Sequence, residues 1–159
     1  MADSIPDSPC WVKPASWHPR IERFYAYWQS IHPPVGLLGR QHIDPGAIPD
    51  LLPHVYMVDV TRDPLRFKYR LVGTEYAQRM GHDLTGRYLD EAHPGFPELV
   101  RQYVTTVELR QPHYRSGPVL FAASQKDFRS IERLMVPMAR NGVDVDMIFG
   151  LIVYLRPGA

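Results

Sequence analysis

FKYRLVGTEYAQRMGHDLTGRYLDE, Phe67 to Glu91, is the stretch that decides the fold. Phe67, Tyr69 and Leu71 alternate with Lys68 and Arg70, the period-two pattern of a strand with one face buried. Gly73 breaks that strand, and Thr74 is placed to cap a short helix that turns Tyr76, Ala77 and Met80 to one side. Gly81 stands where a helix C-terminus takes a left-handed residue, and Asp83 to Gly86 reads as a tight turn. A strand feeding short, glycine-punctuated helical turns builds one wall of a small cavity more readily than a catalytic motif.

Upstream, His54 to Val60 (HVYMVDV) is a second strand, joined to Phe67–Val72 as a hairpin through the turn Thr61–Leu65. Before it, Asp44-Pro45 is a helix start with Ile48, Leu51 and Leu52 on its apolar side, and Pro53 stops it. Pro19 opens a longer helix to Ile31, with Ile21, Phe24, Tyr25, Trp28 and Ile31 in one aromatic-rich stripe. Two readings of this stripe stand side by side: it covers the chain's own core, or Ile21, Phe24, Tyr25 and Trp28 meet a second copy as a dimer interface. Met1 to His18 has no periodicity and reads as a mobile arm, with Trp11 and Trp17 available to pack down on the body.

Downstream, Phe96 to Arg110 is a helix with Leu99, Val100, Tyr103, Val104 and Val107 on its buried side. Three strands follow, His113–Ala122, Arg129–Arg140 and Asp146–Leu155, with Asn141-Gly142 as the turn between the last two. Pro118 and Pro137 fall inside these strands, so each must mark a bulge, an edge or a strand end. The last strand is apolar almost throughout, as a central strand covered on both faces would be. Two strand groups separated by helices predict an α+β domain over 19–159: a five-stranded antiparallel sheet with helices on one face, plus the N-terminal amphipathic helix.

Bulk composition agrees with one domain. The 159 residues suffice for a hydrophobic core, and Lys+Arg 18 against Asp+Glu 17 leaves no field that recruits nucleic acid or an anionic membrane. No apolar run is long enough for a membrane span, and MADSIPDSPCW lacks the features of a secretion signal. The single cysteine, Cys10, forms no intrachain disulfide, which makes the cytoplasm the expected compartment.

The chain resembles PAS domains, and more closely a group of small standalone bacterial PAS proteins. The resemblance rests on DPGAIPDLLP (Asp44–Pro53), on Phe67–Glu91, and on ERLMVPMARNG with the apolar last strand (Glu132–Leu155). It implies a sheet that cups a small-molecule or partner site, a homodimer built partly through the N-terminal helix, and a separate signalling protein as output. It implies no catalytic residues. Flavin photoreceptors of this class carry a reactive cysteine in a GxNCRF-like turn; the comparable turn here, GHDLTG, has none. Haem-binding members use a histidine on the long helix, but Phe96–Arg110 has none, and His93 and His113 only flank it. Both departures argue against those cofactors.

No GxSxG, HExxH, CxxC or P-loop is present. Arg70 and Arg133 occupy strands with apolar neighbours. Either each is a surface arginine paired with Glu132, Glu75 or Asp59, or one faces the cavity and receives an anionic ligand. Tyr69, Tyr76, Tyr88 and Tyr103 either fill the core or line the pocket with an apolar ring and a polar tip. The expected function is thus a non-enzymatic sensory module. A small cone-shaped α+β isomerase or hydrolase using Asp59 or Asp83, or an adaptor whose cavity is filled by its own side chains, are the competing classes.

Overall fold

The computed structural model describes residues 13–118 and 130–155. Its order is α1 (Pro19–Ile31), three 3-10 turns (Arg40–His42, Pro45–Ala47, Leu52–His54), β1 (Val55–Thr61), β2 (Arg66–Val72), α2 (Thr74–Met80), α3 (Leu89–Ala92), α4 (Pro97–Leu109), β3 (His113–Pro118), β4 (Ser130–Met138) and β5 (Met147–Leu155). All five strands form one antiparallel sheet in the order β2-β1-β5-β4-β3. The two strand groups of the sequence therefore meet where β1 pairs with β5. Cys10, Trp11 and the expected strand residues 119–122 and 129 lie outside the described residues.

The sheet is buried on both sides, and its two layers differ. Helices α2, α3 and α4 cover one side, against Tyr56, Val58, Tyr69, Ile131, Met135, Ile148 and Ile152. Helix α1 covers the opposite side, packing Ile21, Phe24 and Tyr27 with Leu134, Val136, Phe149, Leu151 and Val153. β5 alternates between the two layers, which explains its continuous apolar sequence. The stripe on α1 thus serves the chain's own core at Ile21 and Phe24, which are fully buried; the Phe24 ring meets Phe149 edge-on at 4.9 Å.

Several local expectations need correction. The N-cap of α2 is Gly73, not Thr74: a Cβ at Gly73 would lie 2.5 Å from the carbonyl oxygens of Leu52 and Pro53, so only glycine lets α2 start against the preceding turn. The inward side of α4 is rotated, so that Gln102 and Thr106 are buried with Leu99 and Tyr103 while Val100, Val104 and Val107 are only partly covered. The β4–β5 connection is longer than a two-residue hairpin and is built on Asn141, whose Oδ1 accepts from the backbone N–H groups of Val143 and Asp144. Pro118 ends β3 as described, and Pro137 lies beyond the register at which β3 stops, where β4 has a neighbour on one side only.

Candidate functional site

The layer between the sheet and α2–α4 holds the polar groups of the interior. Tyr69 on β2 is buried, and its hydroxyl lies 2.9 Å from the Tyr76 hydroxyl and 2.7 Å from His93 Nε2. The period-two strand aims Tyr69 inward, α2 brings Tyr76 over it, and the end of α3 supplies His93. Tyr56 on β1 donates to the Met135 sulfur at 3.7 Å, and its ring occupies the space a side chain at Gly150 would take. Tyr103 of α4 completes the group, 6.4 Å from Tyr56 and 5.5 Å from Phe67 between ring centroids.

Burial governs the electrostatics. It raises the phenols of Tyr69 and Tyr103 well above their ordinary value, and raises Tyr56 and Tyr76 as well, so all four are neutral hydrogen-bonding groups. It lowers His93 to about 4, with the charges of Arg87 and His82 adding to the effect, so the imidazole beside Tyr69 is neutral. An opening of ≈ 310 Å³ between α3 and α4, lined by Asp90, Gly95, Phe96, Pro97 and Val100, reaches His93 from solvent.

Arg133 on β4 is 2 % exposed. It donates to Gln102 Oε1, approaches His113 Nδ1 at 3.4 Å, and lies 5.7 Å from the Tyr103 ring centroid. Its neighbour Glu132 points to the other layer, where Oε1 accepts from the His18 backbone N–H at 2.9 Å and from the Tyr114 hydroxyl at 2.8 Å. One strand thus carries a cation into the inner layer and a carboxylate that holds the start of α1 in the outer one.

Of the six residues singled out as ligand contacts, Tyr69, Tyr76, Tyr103 and Arg133 converge here. Two do not. The Arg70 side chain is 69 % exposed and lies 3.9 Å from Asp59, as a surface pair. Tyr88 is half-buried at the sheet margin beneath the guanidinium of Arg66, 3.6 Å from its ring centroid. Arg66 also bonds Asp90 and Glu91. Of the α1 residues considered for a dimer, Tyr25 and Trp28 stay half-buried in an aromatic row, with Trp17–Tyr25 at 5.1 Å and Tyr25–Trp28 at 5.5 Å. Trp17 does pack down, against Tyr25 and Tyr114.

The sequence reading missed Tyr56, Gln102 and the inward role of His93. Tyr56 sits in a run of β-formers whose alternation is masked because β1 is buried on both faces. The signal for Gln102 was its place between Leu99 and Thr106 on the inward stripe of α4.

The aspartates considered for an isomerase are elsewhere. Asp59 faces Arg70, and Asp83 is in an exposed turn where the Thr85 hydroxyl and N–H hold its carboxyl below the ordinary value, the reverse of a raised general acid. The cysteinyl-flavin chemistry does not fit the turn Gly81–Gly86 either, because its inward residue is Leu84, fully buried in the core. His93 Nε2 is engaged by the Tyr69 hydroxyl. A second groove, ≈ 390 Å³, runs on the outer layer beside the 3-10 turns, lined by Ile43, Ile48, Leu52, Leu71 and Phe149 with Arg40. It contains none of the converging phenols. Among the described residues no helix is long and apolar enough to cross a membrane.

Comparison with known proteins places this architecture. No curated protein matches the chain at a significant level. Among solved structures, a light-oxygen-voltage domain studied with a flavin analogue is similar with a TM-score of 0.53 at 12% identity, covering 70% of this chain and 84% of its own. A fungal LOV domain photoreceptor is similar with a TM-score of 0.50 at 14% identity, covering 84% of this chain and 91% of its own. At these identities the likeness is one of fold. The family model described as the PAS domain matches residues 16–153, nearly the whole chain, and the chain therefore belongs to the PAS domain family.

Proposed function

We propose that the chain is a non-enzymatic sensory module of the cytoplasm, in which the inner layer takes a small molecule and a separate signalling protein reads the result. The observation that carries this reading is the unequal chemistry of the two layers. The inner one holds Tyr56, Tyr69, Tyr76, Tyr103, His93, Gln102 and Arg133, whereas the outer one is mainly aliphatic and aromatic, with the buried carboxylate of Glu132 partnered by His18 and Tyr114. Buried polar groups cost stability unless they are partnered, and their concentration on one side marks that side for recognition. The opening at His93 supplies an approach from solvent.

A route from ligand to output is also supported. A ligand that shifts Arg133 acts on β4, where Glu132 holds the first turn of α1 through His18. The aromatic row Trp17, Tyr25 and Trp28 then offers a surface for a second copy of the chain or for the signalling partner. A variant Trp28→Ala that lowers the dimer fraction in sedimentation, with its fold intact, supports the homodimer; an unchanged monomer in both proteins refutes it.

The adaptor reading keeps one observation of its own: the tyrosine rings already touch one another, with Tyr56–Tyr76 centroids 5.4 Å apart. Native mass spectrometry of freshly purified protein separates the two. A bound small-molecule mass supports the sensor, and a bare chain or bare dimer supports the adaptor.

A further inference from the structure

We propose that the inward face of β3 and β4 is an anion site, in which Arg133, Arg115, His113 and Gln102 hold the carboxylate of a small organic acid. This deepens the sensory reading above and rests on it.

Strand register places Arg115 directly opposite Arg133, and His113 opposite Met135. Tyr114 packs with the outer layer, so His113 and Arg115 share the inward side of β3. Two guanidinium groups directly across an antiparallel pair repel, and the repulsion is stronger here because Arg133 is withdrawn from water. Among the described residues neither guanidinium makes an ion pair with a carboxylate; the charge of Glu98 acts on Arg115, but less than burial and the charge of Arg133 do. Glu132 faces the other layer and serves His18 and Tyr114, while Glu98, one turn before Gln102 on α4, is ion-paired with Arg101. Gln102 offers Arg133 a neutral acceptor only.

Each guanidinium also keeps a buried N–H without an acceptor among the described residues, Nε of Arg133 and Nη1 of Arg115. Arg115 Nη2 donates to the Pro118 carbonyl at 2.5 Å, which fixes the group against its own strand. The His113 Nδ1 lone pair faces Arg133, leaving Nε2 to carry the proton and act as a donor. Burial, then the charges of Arg133 and Arg115, lower His113 to about 4, so it adds a donor without a third charge. Two guanidinium edges on neighbouring strands suit the two oxygens of one planar carboxylate. Tyr103, against Arg133, offers its ring to the rest of the acid.

The test uses thermal melts of the full chain at fixed ionic strength with benzoate, benzyl alcohol or inorganic phosphate as probe. Benzoate is expected to raise the melting temperature saturably, benzyl alcohol to leave it unchanged, and Arg115→Met to weaken benzoate by about tenfold or more. Ligand-free Arg115→Met is expected to melt above the parent, because one of two opposed charges is gone. The lysine variant Arg133→Lys keeps the charge and is expected to lose benzoate through loss of the planar fork. Benzoate binding unchanged in Arg115→Met, or a preference for phosphate, overturns the organic-acid site. Coupling between Arg115→Met and Asp127→Asn in a double-mutant cycle assigns the counter-ion to the chain itself and also overturns it. Equal stabilisation by benzyl alcohol, or no benzoate effect on protein that still carries a small-molecule mass, overturns the anion site and leaves the sensory reading standing. No benzoate effect on protein that carries no such mass removes both.

Discussion

The two sides of one sheet are built from different chemistry by the same five strands. On the α1 side, Phe24, Leu134, Phe149 and Leu151 make an apolar layer whose stability comes from area removed from water. On the α2–α4 side, phenols, an imidazole, an amide and a guanidinium replace part of that apolar surface. Alternation along β4 and β5 makes this possible: successive residues serve opposite layers, so one layer can carry polar groups without disturbing the other. The lesson is that both layers are hydrophobic cores of similar extent, and the inner one also carries most of the buried polar side chains.

The largest expected contrast comes from truncating the outer layer. Phe24→Ala should cost about 3–5 kcal/mol in urea unfolding, as a buried aromatic lost from a packed core. A cost as small as that of a surface site would place the stabilising core elsewhere.

Acid should expose the inner layer next. His93 titrates at about 4 in the folded chain against an ordinary 6.5, so the unfolded chain binds more protons between those values. Its contribution is complete above pH 6.5 and lost as pH falls towards 4. The loss should be on the order of 2–3 kcal/mol in denaturation at pH 7 and pH 4. His93→Phe should flatten part of this acid limb, with His113, lowered in the same direction, supplying a further part. An unaltered pH profile in that variant would mean that His93 is not buried neutral.

Removing the hydroxyl that joins Tyr76 to His93 is the next step down. Tyr69→Phe should destabilise by about 1–3 kcal/mol, because two buried partners each lose a hydrogen bond. The smallest effect belongs to Arg70→Ala, at most about 0.5 kcal/mol, since its ion pair with Asp59 is exposed and long. If Arg70→Ala proved the more damaging of the two, the assignment of inside and outside on β2 would be reversed.

Much of this architecture was legible in the residues. Period-two alternation in Phe67–Leu71 set the inward side of β2 correctly for Phe67 and Tyr69, but it left Arg70 open between surface and cavity and counted Leu71 as buried, whereas Leu71 is exposed past the register shift opposite Met57 and Val58. Gly81 took the left-handed conformation, and Pro19 opened α1. What sequence left open depended on contacts distant along the chain. The requirement for Gly73 comes from the carbonyls of Leu52 and Pro53, and that for Gly150 from the Tyr56 ring. Gln102 lies on the inward stripe of α4, but its partner there, Arg133, comes from far along the chain. Tyr88 looked like a pocket residue by composition, yet its strand-like pairing with Lys68 puts it at the margin under Arg66.

The central claim is that the inner layer is the responsive one. Its most direct test is amide hydrogen exchange, comparing protein as purified with the same protein stripped by unfolding and refolding. The account predicts slower exchange as purified in 74–109 and 130–138, with a change also in Pro19–Ile31 where Glu132 holds α1. Identical exchange throughout, or a difference confined to the Ile43–Leu52 groove of the outer layer, would contradict it.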